Sequence, residues 1–278
     1  MKKNNSMSLK TANIINAVVG IFMGLLFLAP FYVMLINSFK TKRELFESTL
    51  ALPKVWQFQN YKEAFERLGF FKALSNSFFI TFTSIIVIII FSSMAAWMLE
   101  RTKSKLSNFI FFLFVSSMLI PFQAVMLPLV RFMGKLHLLN LGGLIFMYLG
   151  FGSALSIFLY HGFVKGIPKE LDEAAMIDGC NKFQTFWKII FPLLKPISIT
   201  VAILNIVWIW NDYLLPSLVI NKESTLTIPL KTYFFFGQYT KQWHLALAGL
   251  ILTIIPVLIF YFLAQKHIIK SIAAGSIK

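Results

Sequence analysis

The sequence has few of the groups with which soluble enzymes carry out chemistry. Its 278 residues include one cysteine, four histidines and 11 acidic residues, and only 13% of the chain is charged. A single cysteine, Cys180, excludes an internal disulfide. The histidines lie far apart in the sequence, and none has a partner at metal-ligand spacing. The sequence therefore predicts no metal site. The histidines are His137, His161, His244 and His267.

Known catalytic and nucleotide-binding motifs are also missing. The fragment nearest to a phosphate-binding loop, "MGKL" at 133–136, has no second glycine at the required spacing and no hydroxyl residue after the lysine. Neither a G-x-S-x-G elbow nor an H-E-x-x-H helix occurs. We therefore expect no catalytic residue, no enzyme activity and no bound cofactor in this chain.

Apolar residues are abundant instead. Hydrophobic residues make up 58% of the chain and aromatic residues 16%, which is too apolar for a soluble domain of this length. A helix needs about 20 apolar residues to cross the bilayer, and a chain in lipid must satisfy its own hydrogen bonds. The sequence predicts an all-α, polytopic membrane protein with six transmembrane helices. They lie near residues 12–37, 73–99, 107–131, 141–165, 196–220 and 244–266.

These helices divide the chain into a transmembrane domain and two short ends. The first apolar run has no small-residue cleavage site at its end, so it is predicted to be a retained span and not a signal peptide. The predicted segments are an N-terminal segment 1–11, a transmembrane domain 12–266, a tail 267–278, a cytoplasmic loop 166–195, and external loops 38–72 and 221–243.

The predicted orientation rests on short basic segments. The net charge is +15, but the basic residues are spread over all the loops, which does not favour a nucleic-acid surface. The basic segments 101–105, 165–169 and 266–270 fall on the same side as the N-terminal lysines. The positive-inside rule then predicts that both termini and loop 166–195 are cytoplasmic.

Residues 169–196, "KELDEAAMIDGCNKFQTFWKIIFPLLKP", differ from the oily segments around them. Pro168 suits the first turn of a helix, and acidic residues follow where the helix dipole favours negative charge. We predict a helix of about three turns that ends at Gly179 in a left-handed conformation. Asn181 is predicted to cap a second, amphipathic helix. Physical reasoning leaves two alternatives open, an interfacial loop on the lipid headgroups or a docking element for a soluble partner.

The sequence has "EAAMIDG", then nine residues, then "IIFP". This spacing resembles the Glu-Ala-Ala loop of binding-protein-dependent ABC importers, except that this sequence has Phe191 where leucine is usual. The segments "SSMLIPFQAVMLPL", "WIWNDYLLPSLVI", "TLTIPLKTYF" and "AAGSIK" extend the resemblance to the second permease subunit of the maltose-type, carbohydrate uptake group. The resemblance implies the type I ABC importer permease fold and a place in a bacterial cell membrane.

In that family the loop contains a coupling helix that docks in a cleft of a cytoplasmic ATPase. The resemblance implies a sugar importer with a companion permease, two copies of an ATPase that binds ATP and Mg, and an extracytoplasmic sugar-binding protein. The external loops would face the binding protein. The implied coupling residues are Glu170, Asp172, Glu173, Ala174, Ala175, Asp178, Gly179 and Pro192.

A second set of polar residues falls inside predicted spans. Asn211 and Asp212 lie beside Trp208, and Gln123 lies between two prolines of the third span. Ionisable groups in spans are costly and are functional candidates for that reason. Two interpretations stay open for these residues: they line a sugar pathway, or they are an interfacial carboxylate with its aromatic belt and a structural helix kink.

Two rival functions remain at this level. An ABC importer for amino acids, peptides or polyamines would share the Glu-Ala-Ala loop. An ion-coupled secondary transporter would instead show paired intramembrane charges and a discontinuous-helix repeat, and apart from Asp212 the spans offer little of either.

Overall fold

A computed structural model describes residues 3–233, 235 and 242–276. Within these residues the chain is helical and has no β-strand, which agrees with the predicted all-α fold. Residues 1 and 2, parts of the predicted loop 221–243, and the last two residues of the predicted tail 267–278 lie outside the described residues. The helices are α1 (Lys3–Ser38), α2 (Lys42–Glu47), α3 (Gln59–Leu68), α4 (Phe70–Thr102), α5 (Lys105–Ser117), α6 (Phe122–Lys135), α7 (Leu141–Val164), α8 (Glu170–Ile177), α9 (Lys182–Thr185), α10 (Phe191–Leu193), α11 (Lys195–Asn211), α12 (Leu214–Val219), α13 (Ile228–Tyr233) and α14 (Trp243–Ser276).

Several of these helices are long and apolar enough to span a membrane. Three of them qualify as single helices, namely α4, α7 and the part of α1 from Thr11 to Ser38. Two bent pairs, α5 with α6 and the 182–193 segment with α11, qualify when each pair is taken together. The sixth predicted span falls on α14, whose apolar part is Trp243–Ile259. Each predicted span therefore overlaps an apolar helix, and in the described residues three helices, or five spans with each bent pair counted as one, are long enough to cross a membrane.

Two spans differ from the single helices that the sequence predicts. The third, predicted as one helix over 107–131, is broken between α5 and α6, which meet at 106°. Pro121 precedes α6 with extended backbone and disfavours helix in the residue before it, whereas Pro128 stays inside α6. The fifth, predicted over 196–220, ends at Asn211 because Asp212 is extended. The prediction of one continuous helix is wrong in both places.

The described chain forms two compact units, one of which comprises residues 70–231 and 258–278. Its core is built on α4, α7 and α11. Gly152 of α7 lies where the three helices meet, because a Cβ there would approach Ile88 Cδ1 to 2.6 Å and Asn205 Oδ1 to 2.8 Å. Small residues allow such close helix packing in membranes.

The far end of α4 from Arg101 is tied to the segment after α12. Asn76 donates hydrogen bonds to the carbonyl oxygens of Ser224 and Leu226, both at 3.0 Å. Ser77 Oγ accepts one from the backbone N–H of Ile228 at 2.9 Å. These bonds fix part of the predicted loop 221–243 to the end of α4.

The second unit comprises residues 1–69 and 232–257. Its helix α3 is amphipathic and buries Ala64 and Leu68. Gly249 of α14 lies close to Phe235, since a Cβ there would meet the Phe235 ring at 2.9 Å. Lys40, after α1, is fully buried, and its Nζ donates to the carbonyl of Ser48 at 2.8 Å. Burial lowers the pKa of the Lys40 ammonium.

Candidate functional site

The loop 166–195, which we call the coupling loop after its predicted role, begins with the acidic helix α8. Lys169 is its N-cap, so Pro168 lies one residue before the cap and not in the first turn as predicted. The carbonyl of Lys169 closes the turn by accepting from the N–H groups of Asp172 and Glu173, at 2.9 and 3.1 Å. α8 has eight residues, about two turns instead of the predicted three. Its first turn carries three carboxylates near the positive end of the helix dipole.

The corner after α8 is closed by backbone hydrogen bonds. Gly179 has φ +82°, which confirms the predicted left-handed stop. Its N–H donates to the carbonyl of Met176 at 3.1 Å, and the Cys180 N–H donates to that of Ala175 at 2.9 Å. This pair of bonds is the Schellman motif, which satisfies carbonyls at the helix end. The corner is therefore a defined turn.

The return segment starts at the predicted cap. Asn181 and Gln184 form a reciprocal capping box, in which each side chain accepts from the other residue's N–H. A π-helical turn, Phe186–Ile190, then leads to α10. Pro192 in α10 has no N–H for the carbonyl four residues earlier, and the widened turn comes just before it.

Asp172 fastens α8 to the end of α4. Its Oδ1 accepts from Trp97 Nε1 at 2.9 Å, and its Oδ2 accepts from Arg101 Nε at 2.7 Å. Arg101 also donates to the carbonyl of Ile167 at 3.0 Å. The Asp172 and Arg101 side chains are only 9% and 13% exposed. We call Trp97, Arg101 and Asp172 the α4–α8 clamp.

The predicted coupling residues fall into two groups. Asp172 and Ala175 are buried within this chain, at 7% and 2% exposure. Ile177, which is not among the predicted coupling residues, is 86% exposed at the end of α8. The outer surface of α8 and its corner is therefore free of contacts to the described remainder of the chain that would bury it. The exposed predicted residues are Glu170, Glu173, Ala174, Asp178, Gly179 and Pro192.

A cleft of about 330 Å³ separates part of the coupling loop from the end of α4. Its lining includes the basic residues Arg101, Lys169 and Lys182 together with Asp172 and Glu173. The three clamp residues line this cleft, which is large enough to hold water. The attraction between Arg101 and Asp172 is therefore weaker than between the same charges in a dry interior.

The predicted pathway residues are only partly brought together. Asp212 Oδ2 accepts from the hydroxyl of Tyr148 at 3.0 Å, and Oδ1 accepts from the N–H groups of Leu214 at 3.0 Å and Leu215 at 3.4 Å. Trp208 stands edge-to-face with Tyr148 at 5.5 Å. Asp212 thus follows the last residue of α11, and its side chain binds the first two N–H groups of α12. Its role in a transport pathway stays a prediction.

The other two pathway candidates are exposed. Asn211 donates to the carbonyl of Val207 within α11 at 2.7 Å. Gln123 lies in the first turn of α6, next to the break after α5. A role for either in a transport pathway stays a prediction.

A second buried polar contact between side chains lies beside the clamp and was not predicted. Glu100, next to Arg101 on α4, is 7% exposed, and its Oε2 lies 3.2 Å from His161 Nε2 of α7. The Phe111 ring of α5 stacks on His161 with centroids 4.0 Å apart. The only sequence signal was an acidic residue at the end of an apolar span. The pair joins α4, α5 and α7 near the coupling loop.

Comparisons with known proteins agree with this architecture. In a crystal structure of a bacterial ABC transporter involved in the import of the acidic polysaccharide alginate, one chain has the same fold, with a TM-score of 0.80 and 24% identity. The match covers 93% of this chain and 97% of that one. It supports the predicted ABC importer permease fold.

Sequence relatives cover nearly the whole chain. It is 57% identical over 260 residues to the "probable starch degradation products transport system permease protein" of Thermoanaerobacterium thermosulfurigenes, covering 94% of this chain and 95% of that one. It is 39% identical over 259 residues to the multiple sugar-binding transport system permease protein of Streptococcus mutans, covering 92% and 93%. It is 36% identical over 251 residues to the melibiose/raffinose/stachyose import permease protein of Bacillus subtilis, covering 90% and 91%.

The family match agrees with the resemblance read from the coupling loop. A sequence model of the family described as binding-protein-dependent transport system inner membrane component matches residues 88–274, which include the clamp and the whole loop. The relatives are transport permeases, which accords with a multi-pass transport subunit. The chain therefore belongs to the family of binding-protein-dependent transport system inner membrane components and is a permease of an ABC importer.

Proposed function

We propose that this chain is one of two permease subunits of an ATP-driven oligosaccharide importer and that α8 with its glycine corner docks in a cytoplasmic ATPase. The observation that carries the proposal is the two-sided character of α8. Its exposed surface presents Glu173, Ala174 and Ile177, while its buried surface is fastened to α4 through Asp172. An element with this construction transfers movement from a partner to a transmembrane helix.

The clamp connects α8 directly to the transmembrane helix α4. An ATPase that closes on ATP moves α8, and Asp172 passes that movement to Trp97 and Arg101. From Arg101 to Asn76, α4 runs for about 38 Å at 1.5 Å per residue. It therefore crosses the bilayer and moves the segment that Asn76 holds. Packing on α7 and α11 makes the helices move as a body, which is the requirement for alternating access.

The relatives support an oligosaccharide as substrate. The names of three of them refer to starch degradation products, multiple sugars, and melibiose, raffinose or stachyose. With 57% identity over nearly the full length, the first favours glucose oligosaccharides derived from starch. Trp208 is 40% exposed and offers an aromatic face suited to a sugar ring.

The complete importer contains other chains under this proposal. A homologous permease completes the pathway, two copies of an ATPase bind ATP and Mg, and an extracytoplasmic protein delivers the sugar. The contact between Arg101 and Asp172 supports the predicted orientation, because it keeps the basic segment 101–105 on the same side as the coupling loop. Both termini are cytoplasmic in this arrangement.

Uptake measured in proteoliposomes tests the proposal. The importer purified through this chain is reconstituted with its binding protein and offered maltotriose, raffinose and a matched amino acid. We expect uptake of an oligosaccharide that needs internal ATP and persists after ionophores collapse ion gradients. Amino acid uptake without sugar uptake would overturn the substrate class. Uptake that follows an ion gradient without ATP would overturn the ABC mechanism.

A further inference from the structure

The segment between α1 and α3, residues 39–58, buries the ammonium group of Lys40 and exposes many of its large apolar side chains. Five apolar side chains on it are between 62% and 68% exposed. A soluble loop has the opposite arrangement, because exposed apolar area of this size is unfavourable in water. We call these side chains the apolar rim; they are Phe46, Leu50, Leu52, Val55 and Phe58.

The interior of this segment contains hydrogen-bonded polar groups beside the buried Leu45. Asn60 is buried and donates to the carbonyls of Ser38 and Lys40 at 2.8 and 2.9 Å. The buried ammonium of Lys40 donates to the carbonyl of Ser48 at 2.8 Å. The backbone N–H of Gln57 donates to the carbonyl of Phe39 at 2.8 Å. These bonds hold the rim outward in a defined conformation.

Hydrogen bonds from α1 to the carbonyls of Thr49 and Leu50 place the rim beside the end of the first span. Asn37 Nδ2 donates to the carbonyls of Val33 and Thr49, at 2.7 and 2.8 Å. The hydroxyl of Tyr32 donates to the carbonyl of Leu50 at 3.4 Å. Tyr32 lies six residues before the end of α1, which is about 9 Å along the helix. Leu50 therefore folds back to a level at which α1 is still apolar.

The surroundings of the rim match a bilayer interface better than a protein partner. The exposed apolar surface of α1, which includes Phe31 and Leu35, continues directly into it. Residues 39–58 contain four basic and two acidic side chains, and Lys42 and Lys54 are exposed. Lysine is depleted at protein interfaces, whereas at a membrane interface its charged end reaches the headgroups. Tryptophans such as the half-exposed Trp56 are common at membrane interfaces.

From this geometry we propose that the apolar rim is immersed in the headgroup and upper acyl region of the bilayer and anchors the segment after α1 to the membrane. Leu50 and Leu52 enter the acyl region, and the exposed lysines contact lipid phosphates. The anchor fixes the level of the first span and the position of α3 behind it. For residues 39–58 this proposal replaces the expectation that the external loop 38–72 faces the binding protein.

Depth-dependent fluorescence quenching tests this proposal. The single native cysteine permits a Cys180→Ser background, in which Phe46, Leu50 and Leu52 are each replaced by cysteine in the full chain and labelled with bimane. The chain is reconstituted in nanodiscs of phosphatidylcholine and phosphatidylglycerol that contain nitroxide lipid. Leu26→Cys in α1 is the reference for a lipid-facing site, and Glu66→Cys on α3 is the reference for a water-facing site. All five positions are exposed, so the substitutions remove little packing.

We expect labels at Leu50 and Leu52 to be quenched strongly by nitroxides near the headgroup, well above the Glu66 label. Their emission should shift to the blue relative to that label. Quenching equal to that at Glu66, with full reaction toward a water-soluble maleimide, would overturn the proposal. Protection that appears only when the companion permease or the binding protein is added would also overturn it, since the rim would then be a protein contact.

Discussion

The α4–α8 clamp predicts a measurable loosening of α8 when Asp172 is changed. In Asp172→Asn the isosteric amide offers one oxygen to two donors, Trp97 Nε1 and Arg101 Nε. One of the two bonds is lost whichever way the amide faces, and any remaining bond to Arg101, 2.7 Å long in the wild type, is no longer between two charged groups. Asp172→Ala removes both bonds and leaves the guanidinium with the carbonyl of Ile167 as its partner.

The expected size follows from the burial of the pair. A hydrogen bond between charged groups contributes about 1.5–3 kcal/mol, and the cleft beside Asp172 favours the lower value because it admits water. A free-energy loss of about 1.5 kcal/mol raises the population of the locally open form roughly tenfold. Removal of both bonds should cost about 3 kcal/mol, which is roughly 150-fold.

Hydrogen exchange of the full chain in nanodiscs measures this directly. Amides in the middle of α8 should exchange roughly tenfold faster in Asp172→Asn and still faster in Asp172→Ala. Asp178→Asn is the matched control, because Asp178 is an exposed carboxylate at the other end of the same helix. Exchange of α8 at the wild-type rate in both Asp172 variants would refute the clamp.

Three further predictions concern single side chains. Gly143→Ala places a Cβ 1.8 Å from a backbone oxygen and should lower the melting temperature markedly, whereas Gly150→Ala on the same helix meets nothing within 4 Å and should not. Tyr148→Phe removes the hydrogen bond to Asp212 and should cost about 1–2 kcal/mol in the free energy of unfolding, seen as a lower melting temperature. Gly179→Val opposes φ +82° and should reduce sugar transported per ATP hydrolysed, while Gly179→Asn, which tolerates that conformation, should retain coupling.

Local sequence signals predicted the glycine turn and the second helix cap of loop 166–195 correctly. Gly179 and Asn181 act through bonds to residues within five positions of themselves, and such patterns are visible in a linear sequence. The length of α8 was less well predicted, since its start depends on which carbonyl closes the first turn. Helix ends are in general the least certain part of such predictions.

Contacts across the chain could not be predicted in this way. Asp172 lies 71 residues from Arg101 and 75 from Trp97, and no periodicity links such positions. The sequence marked Asp172 only as one of several acidic residues in a helix's first turn. Its burial and its two partners become apparent only when α4 and α8 are brought together.

The break in the third span shows a different limit. The prolines of the third span indicated a kink, but they did not indicate its size, which is 106° between α5 and α6. A bend of this size requires that the freed backbone groups bind other partners or water. Hydrophobicity alone treats the whole stretch as one span. In the predicted span 196–220, α11 likewise ends early, just before Asp212, whose side chain binds the first two N–H groups of α12. An average hydrophobicity over 196–220 does not detect this effect of one residue.

Docking of α8 on an ATPase is tested most directly by purification of the importer through this chain from gently solubilised membranes. Wild type is compared with Glu173→Lys, which reverses a charge on the exposed surface of α8. The control is Glu66→Lys, the same change at an exposed position of α3. We expect wild type and Glu66→Lys to bring down an ATPase and a second permease, and Glu173→Lys to bring down the second permease alone. If Glu173→Lys recovers the ATPase at the wild-type level, the docking of α8 is contradicted. It is also contradicted if none of the three chains recovers an ATPase even after crosslinking.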